Sequence, residues 1–570
     1  MSTTKKIVII GAGPCGLVAL KEMLEAGHEA VALEKAPAIG GVFARGHEAT
    51  YENLYLTISN MMMAFSDFPP EDLRIKYSSK EEYADYLEAY ADRFALRPHI
   101  RTGTEVVHAA REGERWRIQL RRADAAEGDP DEVIEADALL VATGSSHIPR
   151  RIPLPGFTGE VLHSAEYRGP APFAGKRVLV IGAGESAFDV AADVAKVAAH
   201  TALWSRSPIT PGPRFVADIA RDPDHDELEF MQDEARWSRA KISDFLESMT
   251  NSRMANAAPM WAYSTIRHAI WALLRVGAPA GKILSRWNRQ AVAPDLLRGD
   301  QQTVPTKSAR LCAEAARGRV EVVVAREAAY DGRCARFTGI IDPEGADAIE
   351  IDAIDVVILC TGFRTDFSWL DAPGLEWSPR GWYKHCFPPG HGHSLMFLGW
   401  ARPHQGGIPA CAEILARYIA LLLAGERYLP IDYAERARAE GEAEHAFYAG
   451  AQHQVNLVDY PAFMDSVARL IGCLPKAPPR SALERRIQFW VYPNWPIWYR
   501  QRGPGARPEL VEATLAAFPL RTSFRPHPFN LAALAFSAMQ APIDALTPQR
   551  SGLGRGWWLR AKRTLLHDNA

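Results

Sequence analysis

Two stretches of the chain share the same order of apolar and polar positions. Residues 6–34 read KIVIIGAGPCGLVALKEMLEAGHEAVALE, and residues 177–206 read RVLVIGAGESAFDVAADVAKVAAHTALWSR. After a basic residue, each has four consecutive aliphatic residues, which is typical of a strand buried on both faces of a parallel sheet. A glycine-rich turn, a helical stretch and a second strand follow, at Ala30–Leu33 in one copy and Thr201–Trp204 in the other. The pattern predicts two βαβ units, and therefore two nucleotide-binding folds in an α/β protein.

Two further aliphatic runs set the predicted domain plan. ALLVATG at 138–144 and VVILCTG at 356–362 each end in Thr-Gly. We expect the first to close the initial part of one fold and the second to return the chain from an inserted fold. The chain is rich in Trp, Arg, Met and Leu at mixed spacing between about residues 220 and 300, which predicts a helical insertion there. The Pro-rich sequence beyond residue 475 predicts an extended tail. The expected segments are 1–167 and 364–475 for the first fold, 168–363 for the inserted fold, and 476–570 for a C-terminal extension.

The amino-acid composition excludes some classes of function. Apolar residues make up 47% and charged residues 23% of the 570 positions, and the net charge is -3. This is ordinary for a water-soluble protein and lacks the basic excess of a nucleic-acid-binding one. Seven cysteines occur without a CxxC pair, and His391 and His393 lack partners at zinc spacing, so neither a disulfide framework nor a metal site is expected. The first strand begins by Lys6 and no apolar run reaches about 20 residues, so we expect a cytoplasmic protein without a transmembrane segment.

The first glycine-rich turn has the spacing of a dinucleotide-binding fingerprint. Gly11 permits a tight turn, Gly13 lets the backbone approach a pyrophosphate, and Gly16 allows close contact between helix and strand. The following helix N-terminus offers free N–H groups to phosphate. Glu34 lies 23 residues after Gly11, where an acid accepts ribose hydroxyls. A nucleotide with a free 2′-hydroxyl is predicted here, and a tight turn without a ligand is the alternative.

The second turn differs from the first at the acidic position. Gly182 and Gly184 keep the spacing, and Ser186 lies within the turn. The same offset of 23 residues reaches Ser205, followed by Arg206. A carboxylate at this place would repel a 2′-phosphate, whereas a hydroxyl and a guanidinium bind one. The two turns together predict FAD in the first fold and NADPH in the second, with a solvated surface arginine as the alternative for Arg206.

The residues before the second fingerprint resemble a known family. The stretch Phe157-x-Gly159-x-x-x-His163-x-x-x-Tyr167 resembles the signature of the class B flavin-containing monooxygenases, which are related to Baeyer–Villiger monooxygenases. Further similarities are Gly40-Gly41 after Glu34, ATG at 142–144, CTGF at 360–363, FLGWARPHQGG at 397–407, AEILARYIA at 412–420, VDYPAFMDSVARLIGCLP at 458–475 and IWYRQRGPGARPE at 497–509. The resemblance covers about residues 5–510 and implies that Gly40, Gly41, Thr143 and Gly144 belong to the FAD site.

The resemblance also implies residues close to the reacting flavin. The family commonly has an Asn eight residues before the Phe of a segment like FSDFP, and here that segment starts at Phe65 and the position holds Thr57. Asn60 stands where the family often has Lys. Thr57 donates one hydrogen bond where an amide donates two. His163 of the signature is expected to position the folds rather than to transfer protons.

The reaction is an expectation from the same resemblance. NADPH would reduce FAD, and the reduced flavin would bind O2 as a C4a-hydroperoxide. Its terminal oxygen would pass to an amine nitrogen, as in N,N-dimethylaniline oxidation, or to a sulfide. The protein would orient the cofactors and exclude water.

Several alternatives remain open. A Baeyer–Villiger oxygenase would convert ketones to esters with the same cofactors, although its signature usually ends in Trp where this chain has Tyr167. An NADPH oxidase that releases hydrogen peroxide is compatible with Thr57. A nucleotide-binding protein without turnover is the non-enzymatic alternative. A disulfide reductase is disfavoured because no redox cysteine pair occurs.

The expected partners are a small-molecule substrate and O2, and no nucleic acid. Near the C-terminus, the sequence Arg555-Gly-Trp557-Trp558-Leu559-Arg560 is basic and aromatic. This composition is compatible with peripheral contact of residues 555–566 with an anionic membrane surface, with packing on the protein itself or fraying as the alternatives. A homo-oligomer is one alternative for the quaternary state.

Overall fold

The protein is described here by a computed structural model. The residues whose structure is described are 4–47, 49–124, 132–215, 226–257, 268–270, 272–273, 275, 277–291, 304–341, 347–448, 456–525, 531 and 535. Residues 555–566, the candidate for a membrane contact, lie outside this set. Among the described helices, none is both long and apolar enough to cross a bilayer.

Strands and helices alternate in the order expected of an α/β chain. In chain order the strands are β1 Lys6–Ile10, β2 Glu29–Leu33, β3 Ile100–Arg101, β4 Thr104–Glu112, β5 Arg115–Arg122, β6 Glu132–Ala136, β7 Ala138–Val141, β8 Ile148–Pro149, β9 Glu160–His163, β10 Arg177–Ile181, β11 His200–Ser205, β12 Val320–Asp331, β13 Cys334–Ile340, β14 Ala348–Ile351, β15 Val356–Leu359, β16 Phe363–Arg364, β17 Leu370–Asp371, β18 Leu395–Phe397, β19 Arg402–Pro403 and β20 Leu457–Val458. The described α-helices are Pro14–Glu25, Asn60–Met63, Lys80–Arg93, Glu185–Val194, Glu227–Gln232, Glu234–Trp237, Leu246–Thr250, Arg253–Ala257, Pro279–Ala291, Arg310–Ala316, Ile408–Leu423, Tyr433–Phe447, Tyr460–Ile471, Leu483–Val491, Pro508–Ala516 and Leu520–Ser523.

The first fold is built on a parallel sheet of five strands. Its order is β18-β7-β1-β2-β3. The aliphatic residues of β1 pair with β2 on one side and β7 on the other, so that Ile7 faces both Ala30 and Ala138. Four of the five β1 residues are buried, which explains why this strand is continuously apolar. The strand at the other edge, β18, comes from beyond residue 364.

The second fold has a seven-stranded sheet in the order β14-β13-β12-β11-β10-β15-β9. The pairs among β9, β15, β10, β11 and β12 are parallel, and a β12-β13-β14 antiparallel meander extends the sheet. β9 precedes residue 168, so the chain joins the second sheet before the predicted segment boundary. A separate four-stranded sheet, β17-β4-β5-β6, lies beside the first fold. The predicted two-fold α/β architecture is therefore confirmed.

The predicted helical insertion is helical in its described parts. Short helices occupy Glu227–Gln232, Glu234–Trp237, Leu246–Thr250 and Arg253–Ala257, and a longer one occupies Pro279–Ala291. Buried ion pairs fasten this region to the second fold. Arg310 contacts Asp193 and Asp226, and Arg214 contacts Asp189 and Glu227 at 3.4 Å each.

The chain beyond residue 475 differs from a tail that only runs over the surface. Helices form at Leu483–Val491 and Pro508–Ala516. Trp495 and Trp498 between them are fully buried and share one hydrophobic cluster with helix Pro14–Glu25 of the first fold. The Pro-rich composition indicated the irregular turns of this region correctly. It gave no sign of the tryptophan packing, because that packing combines nearby rings such as Phe489 and Phe518 with apolar residues of helix Pro14–Glu25, which lies far away in the sequence.

Candidate active site

The first glycine-rich turn leaves no room for a side chain at Gly11 or Gly16. Gly11 has φ +101°, and a Cβ there would lie 2.7 Å from the carbonyl oxygen of Ala142. A Cβ on Gly16 would overlap the carbonyl oxygen of Gly11. The turn therefore brings the start of helix Pro14–Glu25 against β1 and β7. This is the close approach of helix and strand that the fingerprint predicts.

Glu34 lies at the end of β2 beside this turn. Its carboxylate accepts hydrogen bonds from the backbone N–H groups of Ala12 at 2.8 Å and Ala36 at 2.9 Å. Each carboxylate oxygen keeps a lone pair, so the group can still accept ribose hydroxyls. Gly40 and Gly41 both have positive φ, and a Cβ on Gly41 would lie 3.0 Å from the Cα of Gly13. The Gly40–Gly41 turn thus faces the fingerprint.

The Thr-Gly step after β7 carries a polar atom without a partner. The hydroxyl of Thr143 is buried and makes no hydrogen bond among the described residues. Gly144 follows with φ +73° and is exposed. Its carbonyl oxygen lies 2.9 Å from Nε2 of His147. An unsatisfied hydroxyl beside a glycine-lined turn fits a bound dinucleotide, whose polar groups would complete the hydrogen bond.

The second turn combines close packing with an open side. Gly182 has φ +139°, and a Cβ there would overlap the carbonyl oxygen of Cys360 at the end of β15. A Cβ on Gly184 would meet nothing within 4 Å. Gly184 and Ser186 are both exposed at the start of helix Glu185–Val194. The space in front of this helix N-terminus fits a pyrophosphate.

The two residues predicted to select a 2′-phosphate have different surroundings. Ser205 is buried, and its hydroxyl donates to the carbonyl oxygen of Ser207 at 2.7 Å. Arg206 is exposed. The guanidinium is therefore the group of this pair that can reach a phosphate without breaking a hydrogen bond inside the protein.

His163 lies at the end of β9 and contacts the turn after the neighbouring strand β15 of the second sheet. Its Nε2 lies 3.0 Å from the carbonyl oxygen of Gly362, and its Nδ1 accepts a hydrogen bond from the backbone N–H of Ala165. Burial lowers the pKa of His163, and the charge of Arg151 acts in the same direction against the Gly362 hydrogen bond. A neutral ring with both nitrogens occupied suits a positioning residue better than a proton carrier.

The segment that holds Thr57 and Asn60 lies between the folds. The amide of Asn60 donates to the carbonyl oxygen of Arg74 at 2.7 Å and accepts from the backbone of Lys76 at 3.1 Å. Its side chain is thus committed to holding residues 74–76. Thr57 is half-buried, and no hydrogen bond of its side chain occurs among the described residues. Of these two candidates, Thr57 is the one whose side-chain polar group is not already hydrogen-bonded within the described residues.

This segment also touches the second fold. The hydroxyl of Tyr51 donates to Asp189 at 3.3 Å, and the amide of Asn53 donates to Asp193 at 3.2 Å, both on the helix that follows the second turn. Tyr51 packs within the hydrophobic cluster of the second fold. We call the region where residues 51–59 of the first fold contact this helix of the second fold the inter-fold cleft.

Three charged residues of this region were not predicted from the sequence. Glu247, in the helical insertion, accepts a hydrogen bond from the backbone N–H of Ser59 at 3.1 Å. Lys307 is buried, and Arg402 lies on β19. Burial lowers the pKa of Lys307 to about 8, with Arg402 and Arg214 acting in the same direction and the carboxylates of Glu185 and Glu247 opposing it. Arg402 lay within a quoted motif, but Glu247 and Lys307 had no distinctive sequence context.

A buried charge cluster anchors the C-terminal region behind the first turn. Arg500 contacts Glu22 at 2.8 Å, Glu413 at 2.9 Å and Asp67 at 3.0 Å. Lys21 also contacts Glu22 and Asp67. The grouping of Glu22, Glu25 and Asp67 has the form of a metal site, but the Lys21 ammonium lies among these carboxylates. The cluster ties the first helix to the chain that follows Thr57.

Comparison with known proteins identifies the family. A family described as flavin-binding monooxygenase-like matches residues 4–210 and 342–523. The chain belongs to the flavin-binding monooxygenase-like family. This confirms the resemblance inferred from the signature at 157–167, the assignment as an oxidoreductase, and FAD and NADPH as cofactors.

Individual relatives of this flavin-binding monooxygenase differ in their named activities. A 4-hydroxybenzoate brominase (decarboxylating) of Marinomonas mediterranea is 33% identical over 526 residues, covering 90% of this chain and 93% of the relative. Flavin-containing monooxygenase 5 of Oryctolagus cuniculus is 27% identical over 526 residues, covering 88% and 89%.

Solved structures share the fold of this flavin-binding monooxygenase. An S-allyl-L-cysteine S-oxygenase from Allium sativum has a TM-score of 0.55 at 20% identity, covering 91% of this chain and 99% of its own. An open structure of cyclohexanone monooxygenase has a TM-score of 0.53 at 20% identity, covering 82% and 98%. The shared fold includes both nucleotide-binding units.

Proposed function

We propose that the protein uses NADPH and O2 to transfer one oxygen atom to a nitrogen or sulfur nucleophile of a small molecule. The observation that carries this proposal is the inter-fold cleft, where the segment 51–59 of the first fold contacts the helix that follows the second glycine-rich turn. When bound, FAD accepts a hydride from NADPH and in its reduced form activates O2. The protein's own part is to bind both cofactors, orient them towards each other and exclude water.

Each cofactor would be held by groups that the fold leaves open. Gly11, Gly13 and Gly16 would admit the FAD pyrophosphate, and Glu34 would accept hydrogen bonds from its ribose. Gly40, Gly41, Thr143 and Gly144 would line the same site, and the free hydroxyl of Thr143 supports this assignment. Gly182, Gly184 and Ser186 would admit the NADPH pyrophosphate. Arg206 would bind the 2′-phosphate, with Ser205 shaping the turn.

The residues nearest the reaction would act by positioning. Thr57 would donate one hydrogen bond within the cleft, while Asn60 fixes the backbone around it. His163 would hold the end of β9 against the turn after β15 in the second fold through Gly362. Because Thr57 offers one donor where the family commonly has an amide, part of the NADPH oxidised is expected to yield hydrogen peroxide.

A second candidate function is oxidation of a halide, followed by halogenation of an aromatic acid. The named activity of the Marinomonas relative, which aligns over 90% of this chain, favours it. A halide is also a soft nucleophile, so the same cofactors and cleft would serve. A Baeyer–Villiger reaction on a ketone remains a further alternative.

One assay separates these activities. NADPH consumption is followed with an amine, a sulfide, a cyclic ketone, and 4-hydroxybenzoate with and without bromide, and the products are identified by mass spectrometry. An amine or sulfide product heavier by one oxygen atom supports the proposal. Bromide-dependent bromination supports the second candidate, and lactone formation alone contradicts both.

Variants of Thr57 make the oxidase alternative testable in the same assay. Thr57→Asn introduces the amide and is expected to lower the hydrogen peroxide formed per NADPH, whereas Thr57→Ala is expected to raise it about tenfold if one hydrogen bond is lost. If hydrogen peroxide accounts for all NADPH with every substrate and both variants, the protein is an oxidase and the proposal is wrong.

A further inference from the structure

Three segments that carry charged side chains converge on the inter-fold cleft. Thr306 binds the second glycine-rich turn through its hydroxyl, which donates to the carbonyl oxygen of Ala183 at 2.9 Å. Lys307 is the next residue. Gly212 lies against both Pro305 and Leu246, since a Cβ on it would be 3.2 Å from the first and 3.8 Å from the second. The Lys307 segment therefore adjoins the helix that carries Glu247.

Arg402 reaches the same region from the first fold. β19 pairs with β20, with Arg402 opposite Leu457. Leu457 belongs to a hydrophobic cluster against which Val304 packs, so the segment 304–307 and Arg402 are neighbours. The charges of Arg402 and Glu247 both act on the pKa of Lys307. Lys307, Arg402 and Glu247 thus form one electrostatic group at the cleft.

Lys307 and Arg402, the two cations of this group, form no direct ion pair with any residue that the structure describes. Lys307 is 8% exposed, yet its ammonium makes no hydrogen bond or ion pair of the kind that compensates Arg214, Arg310 and Arg500 elsewhere in the described part of the chain. The guanidinium of Arg402 also has no such contact there. The carboxylates of Glu185 and Glu247 favour the charged form of Lys307 without an ion pair to it in the described part of the chain. A buried ammonium without such a direct contact is costly unless a ligand supplies the opposite charge.

Buried polar atoms with unfilled hydrogen-bonding capacity surround the same place. One oxygen of Glu247, Oε1, and the amide nitrogen of Asn251 are buried without a partner among the described residues, as is the hydroxyl of Tyr460. Glu247 and Asn251 follow each other by one helical turn, and the charge of Glu247 acts on Tyr460. Buried polar atoms of this kind need a hydrogen-bond partner, and a bound ligand can supply one.

We infer that Lys307 and Arg402 form a binding site for the carboxylate of a small aromatic acid, which is the substrate held in the inter-fold cleft. The unfilled positions of Glu247, Asn251 and Tyr460 would receive a further polar group of that molecule, such as a phenolic hydroxyl. The inference rests on the proposed function only in assigning substrate binding to this cleft. A neutral amine or sulfide would leave Lys307 unpaired, so the site favours an anionic substrate.

Equilibrium binding tests this inference independently of turnover. The FAD-loaded protein is titrated calorimetrically with 4-hydroxybenzoate and with the neutral analogue 4-hydroxybenzamide. The carboxylate is expected to bind about tenfold or more tightly than the amide, the difference typical of one charge-assisted contact. Equal affinities, or no binding of 4-hydroxybenzoate, would overturn the inference.

Substitutions of Lys307 and Arg402 then test whether these two side chains cause the preference for the carboxylate. Lys307→Met and Arg402→Gln are each expected to weaken 4-hydroxybenzoate binding about tenfold or more and to change amide binding about twofold or less, while Lys307→Arg keeps most of the affinity. Lys476→Met removes an exposed ammonium elsewhere and serves as the matched control. Unchanged carboxylate binding in both neutral variants contradicts the inference, and Arg402→Gln decides alone if Lys307→Met does not fold.

Two further measurements distinguish substrate binding at this site from NADP+ binding and from flavin reduction. If Lys307→Met weakens NADP+ binding and not 4-hydroxybenzoate binding, the cation belongs to the nucleotide and the inference is wrong. Flavin reduction by NADPH is measured separately by its absorbance. Its failure would contradict the proposed function and leave the carboxylate selectivity standing.

Discussion

At the scale of single residues, the two glycine-rich turns separate packing from ligand binding. A Cβ on Gly16 would strike backbone inside the protein, whereas a Cβ on Gly184 would enter open space. Both glycines belong to the same type of motif. Substitution of Gly16 should therefore disturb the packing of the protein, whereas substitution of Gly184 should disturb ligand binding.

Alanine at these two positions tests that difference. Gly184→Ala is expected to keep the free energy of unfolding within about 1 kcal/mol, because its backbone is extended with φ -86°. It should weaken NADP+ binding about tenfold, because the methyl group occupies the pyrophosphate side of the turn. Gly16→Ala should lose FAD. Calorimetry and flavin absorbance measure these outcomes, and normal NADP+ affinity in Gly184→Ala would contradict them.

Lys307 should give the stability a specific pH dependence. Its pKa is lowered from 10.5 to about 8, so between these values the unfolded chain binds more protons and stability rises with pH. At pH 7 the buried charge costs up to about 3 kcal/mol. Lys307→Met is therefore expected to raise the free energy of unfolding at pH 7, with the gain shrinking as pH rises through 8 towards 10. Denaturant titrations at pH 7 and 10 measure this, and an equal gain at both would contradict it.

At the scale of elements, Arg500 adds a buried charge cluster to the apolar packing that joins the C-terminal region to the first fold. Arg500 brings one cation to three carboxylates on helix Pro14–Glu25, helix Ile408–Leu423 and the segment at Asp67. Burial alone would lower the pKa of Arg500, but these carboxylates raise it well above its usual range. The guanidinium thus remains charged at every pH at which the protein is folded.

Removal of this cation should be severe. Arg500→Met leaves Glu413 buried and without its ion pair, and is expected to lower the free energy of unfolding by about 3–5 kcal/mol. Arg502→Met, at an exposed position two residues away, should change it by less than about 0.5 kcal/mol. Urea denaturation followed by tryptophan fluorescence compares the two. Similar stabilities would show that the charge cluster does not hold the C-terminal region in place.

At the scale of the whole molecule, residues of the first fold pack inside the second fold and join the two. Tyr51 is 6% exposed within the second fold's cluster and also donates a hydrogen bond to Asp189. Its ring contacts that of Tyr167, the last residue of the signature, with ring centroids 5.8 Å apart. The signature tyrosine thus contributes to the contact between the folds.

Two substitutions at Tyr51 separate packing from hydrogen bonding in this contact. Tyr51→Phe keeps the ring and is expected to cost about 1 kcal/mol of unfolding free energy. Tyr51→Ala opens a cavity between the folds and should cost about 3–5 kcal/mol. Differential scanning calorimetry should show a lower Tm for Tyr51→Ala, with a broader transition as the folds uncouple. A narrow transition at the original Tm would contradict this role.

The sequence by itself determined the two βαβ units, their glycine-rich turns and the family. These features are local, since consecutive aliphatic residues make a buried strand and fixed glycine spacing makes the turn. Even the difference between an acid at Glu34 and a hydroxyl and a cation at Ser205 and Arg206 follows from counting the same number of residues from each glycine-rich turn.

Only the tertiary structure decided which side chains share the inter-fold cleft. Glu247, Lys307 and Arg402 come from an insertion, a connecting segment and the re-entering first fold, and no spacing relates them. The commitment of Asn60 to residues 74–76 and the burial of Trp495 and Arg500 were equally hidden. In each case the partner lies far along the chain or on another element, so the contact depends on how the folds pack.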